Sequence, residues 1–170
     1  MMKKLYLIRH GLSLNNSLGL FSGHTETPLI DEGKKQAKQA GLYLKNHHIN
    51  IDCIVSSPLQ RTIETAKIIA HEINFNDKDI IINNLLIERN YGSFEGKPYV
   101  PHLEHPDIES IESLQKRADQ VLKFLKNLKA DNILLVTHGA IGRALQVSLH
   151  PDLKFHETQK LLNSRLIQIL

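Results

Sequence analysis

Hydrophobic and polar positions along the chain alternate between two periods. Short apolar runs occupy 4–8, 52–56, 80–83, 132–137 and 165–170, and each reads as a strand buried on both faces. Between them lie longer stretches with a helical repeat. Asp31 to Asn46 puts Ala37, Ala40 and Leu44 on one stripe; Leu59 to Ile73 does the same with Leu59, Ile63, Ala66, Ala70 and Ile73. Ile111 to Leu128 aligns Leu114, Val121, Leu125 and Leu128. Ser57 can cap the second helix, with Pro58 at its first position. Strands alternating with helices predict an α/β fold, a three-layer sandwich whose doubly wound, mainly parallel sheet carries helices on both faces. Residues 1–170 are expected to form a single domain. The stretches 11–30 and 84–108 lack either period and are long for connections, which marks them as functional loops.

Composition narrows the function classes. The charged fraction is 23%, the hydrophobic fraction 41% and the net charge +3, ordinary values for a globular protein. The basic residues are dispersed, so neither nucleic acid nor an anionic membrane is expected as a partner. Met1 to Ile8 contains only a four-residue apolar run, too short for a secretory leader, and no stretch approaches the ~20 apolar residues of a membrane span. Cys53 is the only cysteine and sits in a strand pattern, which suggests a small core residue and a reducing, cytoplasmic setting. The ten histidines do not form a metal signature. His102 and His105, and the pair His47 and His48, lack the i, i+4 spacing that places two imidazoles on one helix face, so no metal is expected.

The chemistry is concentrated at strand ends. Arg9-His10-Gly11 follows Leu5-Tyr6-Leu7-Ile8, and Thr137-His138-Gly139 follows Ile133-Leu134-Leu135-Val136. Ligands of open α/β sheets bind outside the carboxyl ends of the strands. Two histidines and an arginine brought to that edge suit a phosphate dianion. A neutral imidazole at His10 can attack phosphorus, while the planar fork of Arg9 matches phosphate oxygens. Gly11 lets the chain turn with its backbone close to a ligand. Arg61 falls in the first turn of the second helix, where N–H groups and the helix dipole also attract anions; a solvated surface arginine fits the same spacing. His138 can donate to a phosphoryl oxygen or be a buried histidine satisfied by backbone. Glu88 can protonate a leaving oxygen, or it can serve as a helix cap or ion-pair partner, with Arg89 adjacent. Tyr91, Phe94 and Tyr99 can line a pocket or pack a loop.

Taken together these pieces resemble the histidine phosphatase superfamily, in the branch that includes cofactor-dependent phosphoglycerate mutase and its phosphatase relatives. The resemblance rests on Leu7-Ile8-Arg9-His10-Gly11 with Asn16, on Phe21-Ser22-Gly23, and on Pro28 to Gly33 with Gln36 and Ala37. It continues through Ser56 to Thr62 with Thr65-Ala66, Glu88 to Gly92 with Phe94-Glu95-Gly96, and Val136-Thr137-His138-Gly139. It implies a phosphoglycerate mutase-like fold and a metal-independent phosphomonoester hydrolase that uses no cofactor. His10 would form a phosphohistidine. Arg9, Arg61 and His138 would neutralise the transferring group, with Asn16, Ser22, Gly23 and Gly139 completing the phosphate site and Glu88 acting as acid. The substrate would be a small phosphorylated metabolite. Phosphoglycerate mutase activity, or a catalytically weak phospho-ligand binding module, are the alternatives.

Three departures from the family pattern stand out. Leu12 replaces a residue that is usually polar. The segment Ile111-Glu112-Ser113-Leu114 lacks the family's glycine, and the arginine usual on that helix reads as Gln120. Between Lys97 and Glu109 the only Lys or Arg is Lys97, against Glu104, Asp107 and Glu109. Such a rim should repel a second anionic group, which favours a phosphatase over a mutase.

Overall fold

The computed structural model describes residues 3–170. Met1 and Met2, the start of the segment weighed as a leader, lie outside the described residues. Five strands form one sheet: β1 (Lys4–Arg9), β2 (Cys53–Ser56), β3 (Ile81–Ile82), β4 (Asn132–Thr137) and β5 (Leu166–Gln168). Their order is β3-β2-β4-β1-β5. The first four strands are parallel, whereas β5 closes the edge beside β1 in antiparallel sense. This is the expected α/β architecture with a mainly parallel sheet. The helices are the short α1 (Leu14–Ser17), then α2 (Asp31–Asn46), α3 (Gln60–Glu72), α4 (Ile111–Lys126) and α5 (Gly139–Leu149).

Side-chain alternation along the strands divides the core in two. Leu5, Leu7, Val55, Ile133 and Leu135 face α4 and α5, meeting Leu114, Val121, Leu125, Ile141 and Leu145. Tyr6, Ile8, Ile54, Leu134 and Val136 face α2 and α3, meeting Ala40, Leu44, Ala66, Ile69 and Ala70. With both sheet faces buried, the strands read as continuous apolar runs. Among the described residues no helix is long and apolar enough to cross a membrane.

Several expectations are corrected. α3 begins at Gln60 after Leu59, not at Pro58 after a capping Ser57. The Ser57 hydroxyl is engaged with His138 instead, and the Gln60 N–H donates to the carboxylate of Glu26 at 3.1 Å. The strand read at 80–83 shortens to two residues, and that at 165–170 to three. α5 has no counterpart among the predicted helices. It buries Ala140, Ile141, Gly142, Ala144, Leu145 and Gln146, and its less buried side is marked in sequence only by Arg143 and Ser148.

Candidate active site

Parallel pairing in register brings the chemistry together. Arg9 lies opposite Thr137 in the β1–β4 ladder, and Ser56 opposite Val136 in the β2–β4 ladder. The His10 N–H donates to the Thr137 carbonyl and the Ser57 N–H to the Val136 carbonyl. The strand ends therefore deliver His10, Ser57 and His138 side by side at one edge. The rings of His10 and His138 meet edge to face, 5.1 Å between centroids.

His10 is 2% exposed. Its Nδ1 lies 2.7 Å from the Gly11 carbonyl oxygen. That oxygen can only accept, so Nδ1 carries the proton and Nε2 the lone pair. Burial first, then the charges of Arg9 and Arg61, hold the His10 pKa well below its ordinary value. The ring is thus held as a neutral imidazole with its lone pair on Nε2. Gly11 serves this geometry by close approach. A Cβ there would stand 2.2 Å from the Gly33 carbonyl oxygen at the start of α2, so the expected sharp turn is in fact a tight backbone crossing. Thr65 on α3 accepts from the Gly11 N–H at 3.0 Å, and Asn163 donates to the His10 carbonyl at 2.8 Å.

Arg61 is 1% exposed, so it is not a solvated surface residue. Its guanidinium donates to the carbonyls of Thr25 (2.9 Å) and Gly23 (2.7 Å), leaving Nε unpartnered. Gly23 has φ +50, and a Cβ there would meet the Glu95 carboxylate at 2.0 Å. Glu95 accepts from the N–H groups of His24 and Thr25 and so fixes this loop under Arg61. Among the described residues five buried side-chain polar atoms lack a partner; three of them, Arg9 Nε, Ser22 Oγ and Arg61 Nε, belong to residues lining one niche, and a fourth, His138 Nδ1, belongs to the ring packed against His10. Buried polar groups are normally paired, so this convergence marks a place built for an acceptor-rich ligand. Arg9, His10, Asn16, Ser22, Gly23, Arg61 and Glu88 line a common niche of about 70 Å³.

His138 is fully buried, and its Nε2 lies 2.7 Å from Ser57 Oγ. The Leu59 N–H donates to that hydroxyl at 3.4 Å, so the hydroxyl proton is free to point at Nε2. Nδ1 is then the protonated nitrogen and a free donor. Burial, followed by the charge of Arg61, also lowers the His138 pKa well below the ordinary range.

Two predicted roles change. Gly139 does not offer its N–H to the niche, because that group donates to Glu88 at 2.9 Å. The Glu88 carboxylate caps α5, accepting from Gly139, Ala140 and Ile141 as well as from Arg89 N–H. The capping alternative is therefore real, yet Glu88 also lines both the niche and the larger cavity beside it. The acidic rim is corrected too. Glu104 pairs with Arg89 and Glu109 with Arg117, so two of the three acids are matched by arginines, and only Asp107, which accepts from the Ser93 hydroxyl, keeps its charge without an arginine or lysine partner. On α4 Gln120 is exposed, and the basic residue that reaches the Glu88 segment is Arg117. It donates to the carbonyls of Leu85, Ile87 and Glu88 and thereby pins the segment that carries Glu88. Sequence reasoning also missed Ser57, Thr65, Glu95 and Asn163 as supports. Ser57, Thr65 and Glu95 stood inside the quoted motifs, but the pairings Ser57 with His138, Thr65 with Gly11 and Glu95 with His24 and Thr25 join segments far apart in the chain.

Neutral histidines at this depth give the protein a pH signature. Unfolded, His10 and His138 take up protons near pH 6.5; folded, they do so only well below it. Their contribution to stability is therefore complete above pH 6.5 and is lost as pH falls beneath it, by about 1.4 kcal/mol per histidine per pH unit. Denaturant unfolding at pH 6.5 and 5.5 is expected to show a drop for the native sequence that exceeds that of His138→Asn by about 1 kcal/mol. Equal drops would mean that His138 titrates normally in the fold.

The sequence profile of the Histidine phosphatase superfamily (branch 1) matches residues 5–166. An acid phosphatase of Mycobacterium tuberculosis is 32% identical over 154 residues, covering 84% of this chain and 73% of that protein. A 2,3-bisphosphoglycerate-dependent phosphoglycerate mutase of Parvibaculum lavamentivorans is 30% identical over 165 residues, covering 85% and 79%. Among solved structures, a mutant phosphoserine phosphatase of Entamoeba histolytica in complex with phosphoserine superposes with TM-score 0.80 at 28% identity, covering 97% of this chain and 89% of that one.

Proposed function

The chain belongs to the histidine phosphatase superfamily (branch 1), and on that premise we propose that it hydrolyses phosphomonoesters of small metabolites through a phosphohistidine on His10. The observation that carries this reading is the state of His10: buried, neutral, with Nδ1 tied to the Gly11 carbonyl and flanked by Arg9 and Arg61. In the first step the Nε2 lone pair forms a bond to phosphorus as the ester P–O bond breaks. The departing oxygen takes a proton from Glu88, which lines the junction between the niche and the cavity beyond it. Arg9, Arg61 and the Ser22 hydroxyl, which line the niche with Asn16, supply donors to the equatorial oxygens, with His138 Nδ1–H as a further donor from beside His10. Donors placed where charge develops are usually the largest catalytic contribution. In the second step water attacks phosphorus, Glu88 accepts its proton, the N–P bond breaks and inorganic phosphate leaves. A mere binding module would have no use for the nucleophile.

The side chains supply all the electrostatics in this scheme, with no cofactor. Turnover is expected to be unchanged by EDTA, and vanadate, which adopts the five-coordinate geometry of the transition state, should inhibit strongly. Loss of activity on chelation, restored by a divalent ion, would contradict the scheme.

Hydrolysis is favoured over mutase chemistry by access of water. The niche opens into a cavity of about 290 Å³ whose wall includes Tyr99, itself 55% exposed. A mutase must keep water from its phosphohistidine while the acceptor turns. Phosphorus NMR of 3-phosphoglycerate with the protein should show inorganic phosphate accumulating and negligible 2-phosphoglycerate. Isomer interconversion faster than phosphate release would identify a mutase.

A further inference from the structure

The cavity beyond the niche has a wall that the catalytic motifs do not supply. It shares Arg9, Asn16, Leu20, Glu88, Tyr91 and Tyr99 with the phosphate niche, so a ligand can occupy both. Its far side comes from α5 and from the segment after it, which contribute Arg143, Phe155, His156 and Lys160. That segment returns to the strand edge because Ser164 N–H donates to the Arg9 carbonyl and Asn163 pairs with Arg9.

The charges in this cavity do not cancel. Glu104 is held by Arg89 at 2.8 Å, and Glu88 by the N–H groups of α5. Among the described residues neither Arg143 nor Lys160 has a carboxylate within ion-pair distance. Arg143 is nonetheless fixed in place. Its Nε donates to Thr158 Oγ1 and its Nη2 to the Phe155 carbonyl, each at 2.9 Å, and the guanidinium lies 4.8 Å from the centre of the Phe155 ring. Nη1 keeps its donors. At the outer side, His102 and His156 meet at 2.9 Å between their Nδ1 atoms, bridging the 97–109 loop to the 155–157 turn. Two unpaired cations, one of them pre-oriented, thus share a cavity with the phosphate niche, alongside the aromatic rings of Tyr91, Tyr99 and Phe155.

We propose that this cavity selects phosphomonoesters whose alcohol part carries a second anionic group, a carboxylate or a phosphate, received by Arg143 and Lys160. The proposal rests on the hydrolase reading above, which makes this the place of the leaving alcohol. At about 290 Å³ the space suits a short carbon skeleton between the two anions. Arg143 and Lys160 are specificity residues here, acting on the leaving group and not on phosphorus.

The test compares esters that differ only in the second charge: 3-phosphoglycerate with glycerol 1-phosphate, and O-phosphoserine with phosphoethanolamine. Glycerol 1,3-bisphosphate tests phosphate as the second anion. Hydrogen bonds to charged groups make a preference of roughly 10-fold or more in kcat/KM for the anionic member the expected result. Lys160→Met and Arg143→Met should each reduce that ratio several-fold, chiefly by raising KM for the anionic ester. Arg143→Lys should restore part of it. Lys160 is exposed, so its variant keeps the test sound even where Arg143→Met disturbs the 155–158 turn. A preference for the bisphosphate or for the carboxylates would equally support the subsite and name its anion. A wild-type ratio near one, or a ratio unmoved by both methionine variants, would overturn the subsite. Continued hydrolysis of p-nitrophenyl phosphate would in that case leave the hydrolase reading standing. No phosphate released from any ester would end both.

Discussion

Replacing His10 by asparagine is expected to lower kcat on every phosphomonoester by about 10⁴-fold or more, the scale seen when a covalent nucleophile is removed. The loss should be independent of the leaving group, because no bond to phosphorus can form at this position. The fold should survive. Asparagine retains a donor for the Gly11 carbonyl that His10 Nδ1 now addresses. The substitution also removes a group whose protonation below pH 6.5 opposes folding. Circular dichroism and thermal unfolding would establish the fold, and phosphate release the activity. Residual turnover within tenfold of the native protein would place the nucleophile elsewhere.

Glu88→Gln is expected to separate substrates by their leaving groups. Alkyl phosphates, whose alkoxides need a proton to depart, should slow by about 10²–10⁴-fold, the usual worth of general acid catalysis. p-Nitrophenyl phosphate, whose leaving group departs unprotonated, should lose far less. The structure adds a second effect that the reaction alone would not predict. The carboxylate accepts from the N–H groups of Gly139, Ala140 and Ile141, and glutamine keeps one acceptor oxygen for them. Glu88→Ala leaves none, so it should destabilise by about 1–2 kcal/mol, as the loss of a helix cap does. For a chain of this size that is a fall of roughly 2–8 °C in Tm. Equal slowing of both substrate types by Glu88→Gln would show that Glu88 is a cap and not the acid.

The parts of the site that were legible in the sequence are those where chemistry is contiguous. Arg9-His10-Gly11 and Thr137-His138-Gly139 each follow an apolar run, and parallel pairing makes the ends of β1 and β4 neighbours. Glu88 was visible as a residue, but its partners across the fold were not. α5 was missed because only three polar side chains, Arg143, Gln146 and Ser148, interrupt its apolar run, and Gln146 is itself buried. Its Gly142 reads as a breaker, yet a Cβ there would stand 2.2 Å from Leu161 Cδ1. The rim charges were misjudged for a related reason. A count along 97–109 finds three acids and one lysine, whereas Arg89 and Arg117, which neutralise two of them, come from outside that stretch. Arg143 and Lys160 belong to no periodic pattern and reach the cavity only through tertiary pairing at the edge of β1.

The central claim is a covalent phosphohistidine on the pathway to inorganic phosphate, and rapid-quench labelling tests it most directly. A phosphomonoester labelled with ³²P, mixed with the protein and quenched in alkali within the first turnover, should leave label on the chain. That label should be stable to alkali, labile to acid and confined to the peptide containing His10. It should decay into inorganic phosphate at least as fast as the enzyme turns over. Steady phosphate release with no label on the protein at any time, or with label on another residue, would contradict the account.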